Sequence, residues 1–288
     1  MNKKHSDFRN ADFSGDDLRD ADFSGADLRD ADLSNSVLSG ADLSNADIRW
    51  ADFSGAVLRD ADIRRADIRY AVLRDADIRN ADIRWADIRN ADLSNADIRN
   101  AVLRNADIRW AVLSGANISN ADLRGANISG AVLSGAVLSG ANIREADLSG
   151  ADLSDVILRD ADLRDAVLRD AVLRNAVICD TALRNADLRN ADIRNAKFSI
   201  SEFFKIAFFD LSDELTLELM RHDAEFCGEA KMTAWANGGI CPYRSMDRDF
   251  NFIEKADIWI PGKPRYRGLE LYMKLAKECN IIHSLGGD

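Results

Sequence analysis

The chain has 288 residues, with 49 Asp and Glu against 38 Lys and Arg, a net charge of −11, and 7% aromatic residues. Such acidity argues against direct nucleic-acid binding, which needs a basic surface to displace counterions from phosphate, and no run of about 18 apolar residues offers a membrane span. Three histidines and four cysteines without framework spacing give no metal set, no cofactor and no disulfide scaffold, so reduced thiols in a cytoplasmic protein are the expectation.

In chain order, residues 1–5 form a short tail, and Met1-Asn2-Lys3-Lys4 is followed by no apolar stretch of the secretory kind. From Ser6 to Ile200 the chain is 39 consecutive five-residue units without an insertion, for example Ala11-Asp12-Phe13-Ser14-Gly15 and Ala81-Asp82-Ile83-Arg84-Trp85. The central position is always Leu, Ile or Phe, and two residues earlier stands Ala, with only Ser6, Asp16, Ser36, Val156 and Thr181 departing. A period of five fits neither regular element: on a helix each large residue steps ~140° and makes no stripe. Within one unit, however, Ala and the central residue are two apart and point the same way on a short extended piece. The Asn, Asp or Gly that follows is turn chemistry, tolerant of positive φ. Repeating a short strand and a corner gives a solenoid with Ala and Leu inside and three positions outside.

The pattern resembles the pentapeptide repeat family. The resemblance implies an all-β solenoid, a right-handed quadrilateral β-helix with four units per coil. Two features of the sequence agree with a 20-residue recurrence. Of 15 serines that follow a central residue, seven (Ser14, Ser34, Ser54, Ser94, Ser114, Ser134, Ser154) share one modulo-20 class, and Trp50, Tyr70 and Trp110 share another. The unit count gives about ten coils and a rod of roughly 45 Å at the usual strand spacing. Domain boundaries are then a tail at 1–5, the β-helix at 6–210, and a small α-rich C-terminal capping or interaction module at 211–288. Phe8, Phe13 and Phe23 at the start, and Phe198, Phe203 and Phe208 at the far end, are expected to plug the coil against edge pairing.

Three surface features are candidate protein-binding sites. The face carrying Asp12, Asp32 and Asp52 has eight acids against three arginines, a surplus concentrated in the first coils. Some members of the family mimic B-DNA and bind DNA gyrase, so the resemblance implies a type II topoisomerase as one partner. Duplex DNA presents a charge every ~1.7 Å, whereas this face carries about one net charge per 9 Å of rise, and the chain lacks the loops that often interrupt gyrase-directed members. Most Asp–Arg neighbours are expected to form solvated cross-coil pairs. Trp50, Tyr70 and Trp110 form an outward column beside Arg49, Arg69, Arg89 and Arg109, with Asn90 in the gap. That column reads as a stacking platform for a ring, a sugar or a partner side chain, or as rungs stacking on one another and on arginine. Trp85 projects elsewhere. Val112, Val132, Val137, Ile157, Val172 and Val177, with Val167, replace outward Asp in later coils, which marks a contact surface for the tail, a second copy in a homodimer, or another protein, or reflects valine's preference for extended backbone.

After Asp210 the register ends, and seven of twelve phenylalanines lie beyond residue 200. Ser212-Asp213-Glu214 reads as a helix start, with Leu211, Leu215, Leu219 and Met220 as its stripe. A second helix at Glu229–Ala236 stops at Asn237-Gly238-Gly239. Short strands are expected at Phe250–Ile253 and Ile258–Ile260, and an amphipathic helix at Arg267–Cys279. Trp235, Cys241-Pro242-Tyr243 and His222 lack an activating motif or ligand spacing, and Lys263, Arg265 and Arg267 form a local basic loop. The expected function is a non-enzymatic protein-binding or scaffold protein with rigid charged faces. A DNA-mimicking modulator of a type II topoisomerase, or a structural spacer or self-assembly unit, are the alternatives.

Overall fold

The computed structural model describes residues 6–198, 213–227, 229–237, 257–265 and 274. From residue 6 to 198 the chain winds so that each pre-central residue pairs in parallel with the one 20 positions on, in an unbroken series from Asp7↔Asp27 to Val172↔Asp192. The two-residue strands β1 (Val177–Ile178) and β2 (Lys197–Phe198) keep the same offset. Four five-residue units therefore make one coil.

The unit Ala51-Asp52-Phe53-Ser54-Gly55 shows why this sequence closes. The Phe53 N–H donates to Val72 O one coil on at 2.7 Å, and Gly55 N–H to Arg74 O at 2.8 Å. Asp52 N–H donates one coil back, to Ala31 O at 2.9 Å. Ala51 N–H closes the preceding turn onto Ile48 O at 3.2 Å. The fifth amide, Ser54 N–H, points away from both neighbouring coils and donates to Asp52 Oδ1 at 2.8 Å. All five donors are satisfied, as buried or half-buried backbone requires. The outward Asp is thus a backbone cap as well as a charge, an Asx-turn acceptor two residues before the amide it serves. Corner residues from Asn10 to Asn195 all lie at φ between 55° and 71°, the third position of a turn that demands positive φ.

Alanine and central side chains fill the interior from Phe23 to Leu188. Departures from alanine keep the interior satisfied: Ser36 Oγ donates to Leu33 O at 2.6 Å and Thr181 Oγ1 to Leu158 O at 2.5 Å. Ser6 and Asp16 stand in the first coil, where both are exposed. There Phe8, Phe13 and Phe23 meet edge to face, with ring centroids 5.5–5.8 Å apart. Phe203 and Phe208 lie outside the described residues, as does the side chain of Phe198.

Helix α1 (Asp213–Cys227) carries Asp213 and Glu214 in its first turn, and α2 (Glu229–Ala236) follows after one residue. Residues 215–220 of α1 are buried on every side, Glu218 included. The Glu218 carboxylate accepts from Arg221 Nη1 at 2.9 Å and from the Arg265 backbone amide. Ile258–Ile260 is not a strand: residues 257–258 make one tight helical turn. A strand needs a sheet edge, and this segment is instead tied to the helices through Trp259 Nε1–H to Thr233 Oγ1 (3.1 Å) and Arg221 Nε–H to Ile260 O (3.2 Å). Phe250–Ile253, Cys241, and all of 267–279 except the helical Lys274 fall outside the described residues.

Candidate functional site

Arginine two residues after an outward Asp turns back onto it. In Asp47/Arg49, Oδ1 accepts the Arg49 amide at 3.4 Å and Nε at 2.8 Å, while Oδ2 accepts Nη2 at 2.6 Å. The amide bond orients the carboxylate, so the guanidinium meets it as a fork, the geometry for which arginine is suited. On the face holding Asp27, Asp47, Asp67, Asp87 and Asp107, Nε of Arg29, Arg49, Arg69 and Arg89 also lies 3.4–3.5 Å from the Asp of the next coil. The result is a charge-neutral ladder from Arg29 to Arg109. The expectation of mainly cross-coil pairs is therefore corrected here: the in-unit fork is the shorter contact.

Cross-coil pairing dominates where Val replaces the in-unit Asp. Behind Val57, Val72, Val102, Val167 and Val172, the arginines Arg59, Arg74, Arg104, Arg169 and Arg174 reach Asp77, Asp92, Asp122, Asp187 and Asp192. This switch went unseen in the sequence, although an 18-residue Arg-to-Asp spacing behind each Val signals it. Asp77 then accepts from Arg79 and Arg59, and the Arg79 fork foremost, with Arg59 beside it, lowers its pKa to about 2. Asp192 is held further below the carboxylate range by Arg194 and then Arg174.

Asp12, Asp32 and Asp52 form one column with serine in place of arginine as their neighbour. Ser14, Ser34 and Ser54 amides donate to them at 3.0, 2.9 and 2.8 Å. The Ser14 hydroxyl, with its amide, keeps the Asp12 carboxyl below its ordinary value. Val112, Val132 and Val172 continue the same column, and Val137, Ile157 and Val177 the next one, all half-buried.

Trp50, Tyr70 and Trp110 occupy one corner of the coil at φ 64°, 62° and 58°, more than two-fifths exposed. Trp50 lies flat on Tyr70, centroids 4.3 Å apart at 5°. The Arg109 guanidinium carbon is 5.2 Å from the Trp110 centroid. Trp85 stands at the neighbouring corner, with Arg65 and Arg84 each 5.7 Å over its ring. Of the tail's basic loop, Arg265 is drawn toward Glu214 and Glu218, each at 3.5 Å. Among the described residues no three His, Cys, Asp or Glu converge as a metal set.

This geometry defines a β-solenoid of five-residue units, four to the coil, with charged faces and aromatic corners. The chain belongs to the pentapeptide repeat family, whose repeats match residues 17–55, 56–95, 91–130, 121–160 and 161–199. Among solved structures it is similar to HetL, a pentapeptide repeat protein involved in heterocyst differentiation regulation in the cyanobacterium Nostoc sp. strain PCC 7120. Identity is 30% over 67% of this chain and 89% of that one, with a TM-score of 0.37. QnrB1, a plasmid-mediated fluoroquinolone resistance protein, in a trypsin-treated form, is 20% identical over 66% of this chain and 88% of its own, with a TM-score of 0.48. A pentapeptide repeat protein of the Arabidopsis thaliana thylakoid lumen is 28% identical over 45% of this chain and 76% of its own, with a TM-score of 0.29. A search of the curated proteins gave no match.

Proposed function

We propose that this protein is a non-enzymatic binding or scaffold protein of the cytoplasm, a right-handed quadrilateral rod of about ten coils that offers fixed charged faces to a protein partner. The observation that carries the reading is the neutral Asp–Arg ladder from Arg29 to Arg109. Its side chains are held in forks and its backbone is fully bonded. Such a surface is ordered before any partner arrives, so association loses little to side-chain and loop ordering. Among the described residues no helix is long and apolar enough to cross a membrane.

A second reading, a DNA-mimicking modulator of a type II topoisomerase, draws on Asp12, Asp32 and Asp52, which have serine partners and no arginine. Three such charges on successive rungs are far sparser than phosphate along a duplex, and the binding reading is preferred. Affinity capture with the full chain and with an Asp12/Asp32/Asp52→Asn variant tests both. A protein partner held by both chains is the expected result. Capture of a topoisomerase that is lost with the triple variant favours mimicry. No partner, together with a solution mass that climbs with concentration, overturns the binding reading in favour of a self-assembling spacer.

A further inference from the structure

Wherever arginine follows an outward Val, it finds an acid 18 residues on: Arg59 takes Asp77, and Arg174 takes Asp192. Arg159 has the same place in its unit and finds none. The outward residue before it is Ile157, and the residue 18 positions on is Val177. Its column neighbours one coil back and one coil on are Ser139 and Cys179, neither of them an acid. Arg159 is exposed, and among the described residues it has no ion-pair partner. A guanidinium left over on a rod that pairs its others so regularly is open to a partner's anion.

The apolar residues that deprive Arg159 of an acid also shape what can reach it. Val137, Ile157 and Val177 stand on successive rungs, paired in parallel and each half-buried. Three such rungs span about 10 Å, so a strip one side chain wide covers on the order of 100 Å². Each partner in a stable complex buries about 800 Å², so two rods cannot hold each other by this strip. Two copies, each at −11, also repel one another. The strip is of the size that one or two side chains of a partner segment cover.

Charge selects the anion. Asp160 follows Arg159 directly, and Asp180 stands at the same corner one coil on, both exposed. A dianionic phosphate would meet one cation and these two acids, whereas a carboxylate brings a single charge and fits the guanidinium fork. We propose that Arg159 and the strip Val137–Ile157–Val177 receive an acidic side chain of a partner protein together with an aliphatic neighbour. The carboxylate accepts from the Arg159 guanidinium, and the aliphatic side chain covers Ile157. This inference rests on the protein-binding reading and names the chemistry its partner brings.

The test titrates the full chain with the peptide acetyl-Leu-Asp-Leu-amide and follows the Ile157 Cδ1 methyl by NMR, assigned from the Ile157→Val spectrum. A saturable shift is expected, with acetyl-Leu-Asn-Leu-amide about fivefold weaker, because the amide brings no charge to the guanidinium. Val177→Asp supplies the missing acid 18 residues beyond Arg159, with the residue type that most rungs carry there. It should abolish the preference for the Asp peptide while leaving circular dichroism intact, and Arg159→Gln should do the same. Arg99→Gln, which removes an arginine already held by Asp97, should leave the titration unchanged. Absence of a shift, equal response to the Asn peptide, or survival of the preference in Val177→Asp or Arg159→Gln overturns the site. A partner captured equally by the full chain and by Val177→Asp also overturns the site and leaves the broader binding reading standing. A saturable, Asp-selective response in a chain that captures no protein sustains the site and overturns the broader reading alone.

Discussion

At a corner, one backbone angle decides which residue is comfortable. Glu145 sits at φ 60°, and its ion-pair partner among the described residues is the distant arm of Arg144, 4.0 Å away. Asparagine tolerates that angle better than glutamate, so Glu145→Asn should stabilise the protein by about 1 kcal/mol. A rise in melting temperature of about 2–4 °C by circular dichroism is the expected readout. The corner role of Asn, Asp and Gly was legible from the sequence because those residues carry turn chemistry by themselves. What was not legible was the second duty of the outward Asp. Its capping of the amide two residues on, as Asp52 does for Ser54, depends on where that amide points once the coil has closed.

Among rungs, the exchange of Asp for Val rewires the arginine two positions later. Arg59, deprived of an in-unit acid by Val57, reaches Asp77 and adds to the hold of Arg79. The Asp77 carboxyl, at about 2 when folded, sits below its unfolded value. Its contribution to stability is therefore complete above the ordinary carboxylate pKa and is lost as pH falls from about 4 to about 2. Arg59→Gln should move the Asp77 pKa upward while Arg79 keeps it below the ordinary value, and a carboxyl-carbon NMR titration reads this directly. An unchanged pKa would show that the cross-coil arm contributes nothing. The 20-residue recurrence puts Asp77 and Arg59 on one face. The expectation of mainly cross-coil pairs failed because a long side chain reaches either of two acids: it takes the one its own unit supplies, as Arg49 takes Asp47, and crosses the coil where the unit lacks one, as Arg59 does.

For the whole molecule, each coil touches only its neighbours, so stability is close to a sum of local terms. Leu103, buried between coils on both sides, should cost about 2–5 kcal/mol when truncated to Ala. Leu18, half-buried in the first coil, should cost clearly less, and paired denaturant melts compare the two. Equal losses would mean that the first coil is as tightly closed as the middle. The solenoid from 6 to 198 was readable because a five-residue period has no other compact solution. Helices α1 and α2 were readable from capping residues and apolar spacing. The segment at 257–265 was not, since its place is set by Glu218, Thr233 and Arg221, residues far from it in sequence.

The 20-residue offset also gives the chain a grammar for insertions and deletions. A residue's number modulo 20 states its compass bearing on the rod, and the whole coils before it state its height. Adding or losing one five-residue unit turns everything downstream by a quarter revolution. Trp110 would then leave the bearing of Trp50 and Tyr70, and each Asp–Arg rung would meet a stranger. Only a change of 20 residues slides the later surface along the axis without rotating it. Lineages of this protein can therefore lengthen freely in steps of one coil, while a step of one unit scrambles every vertical motif that spans the joint.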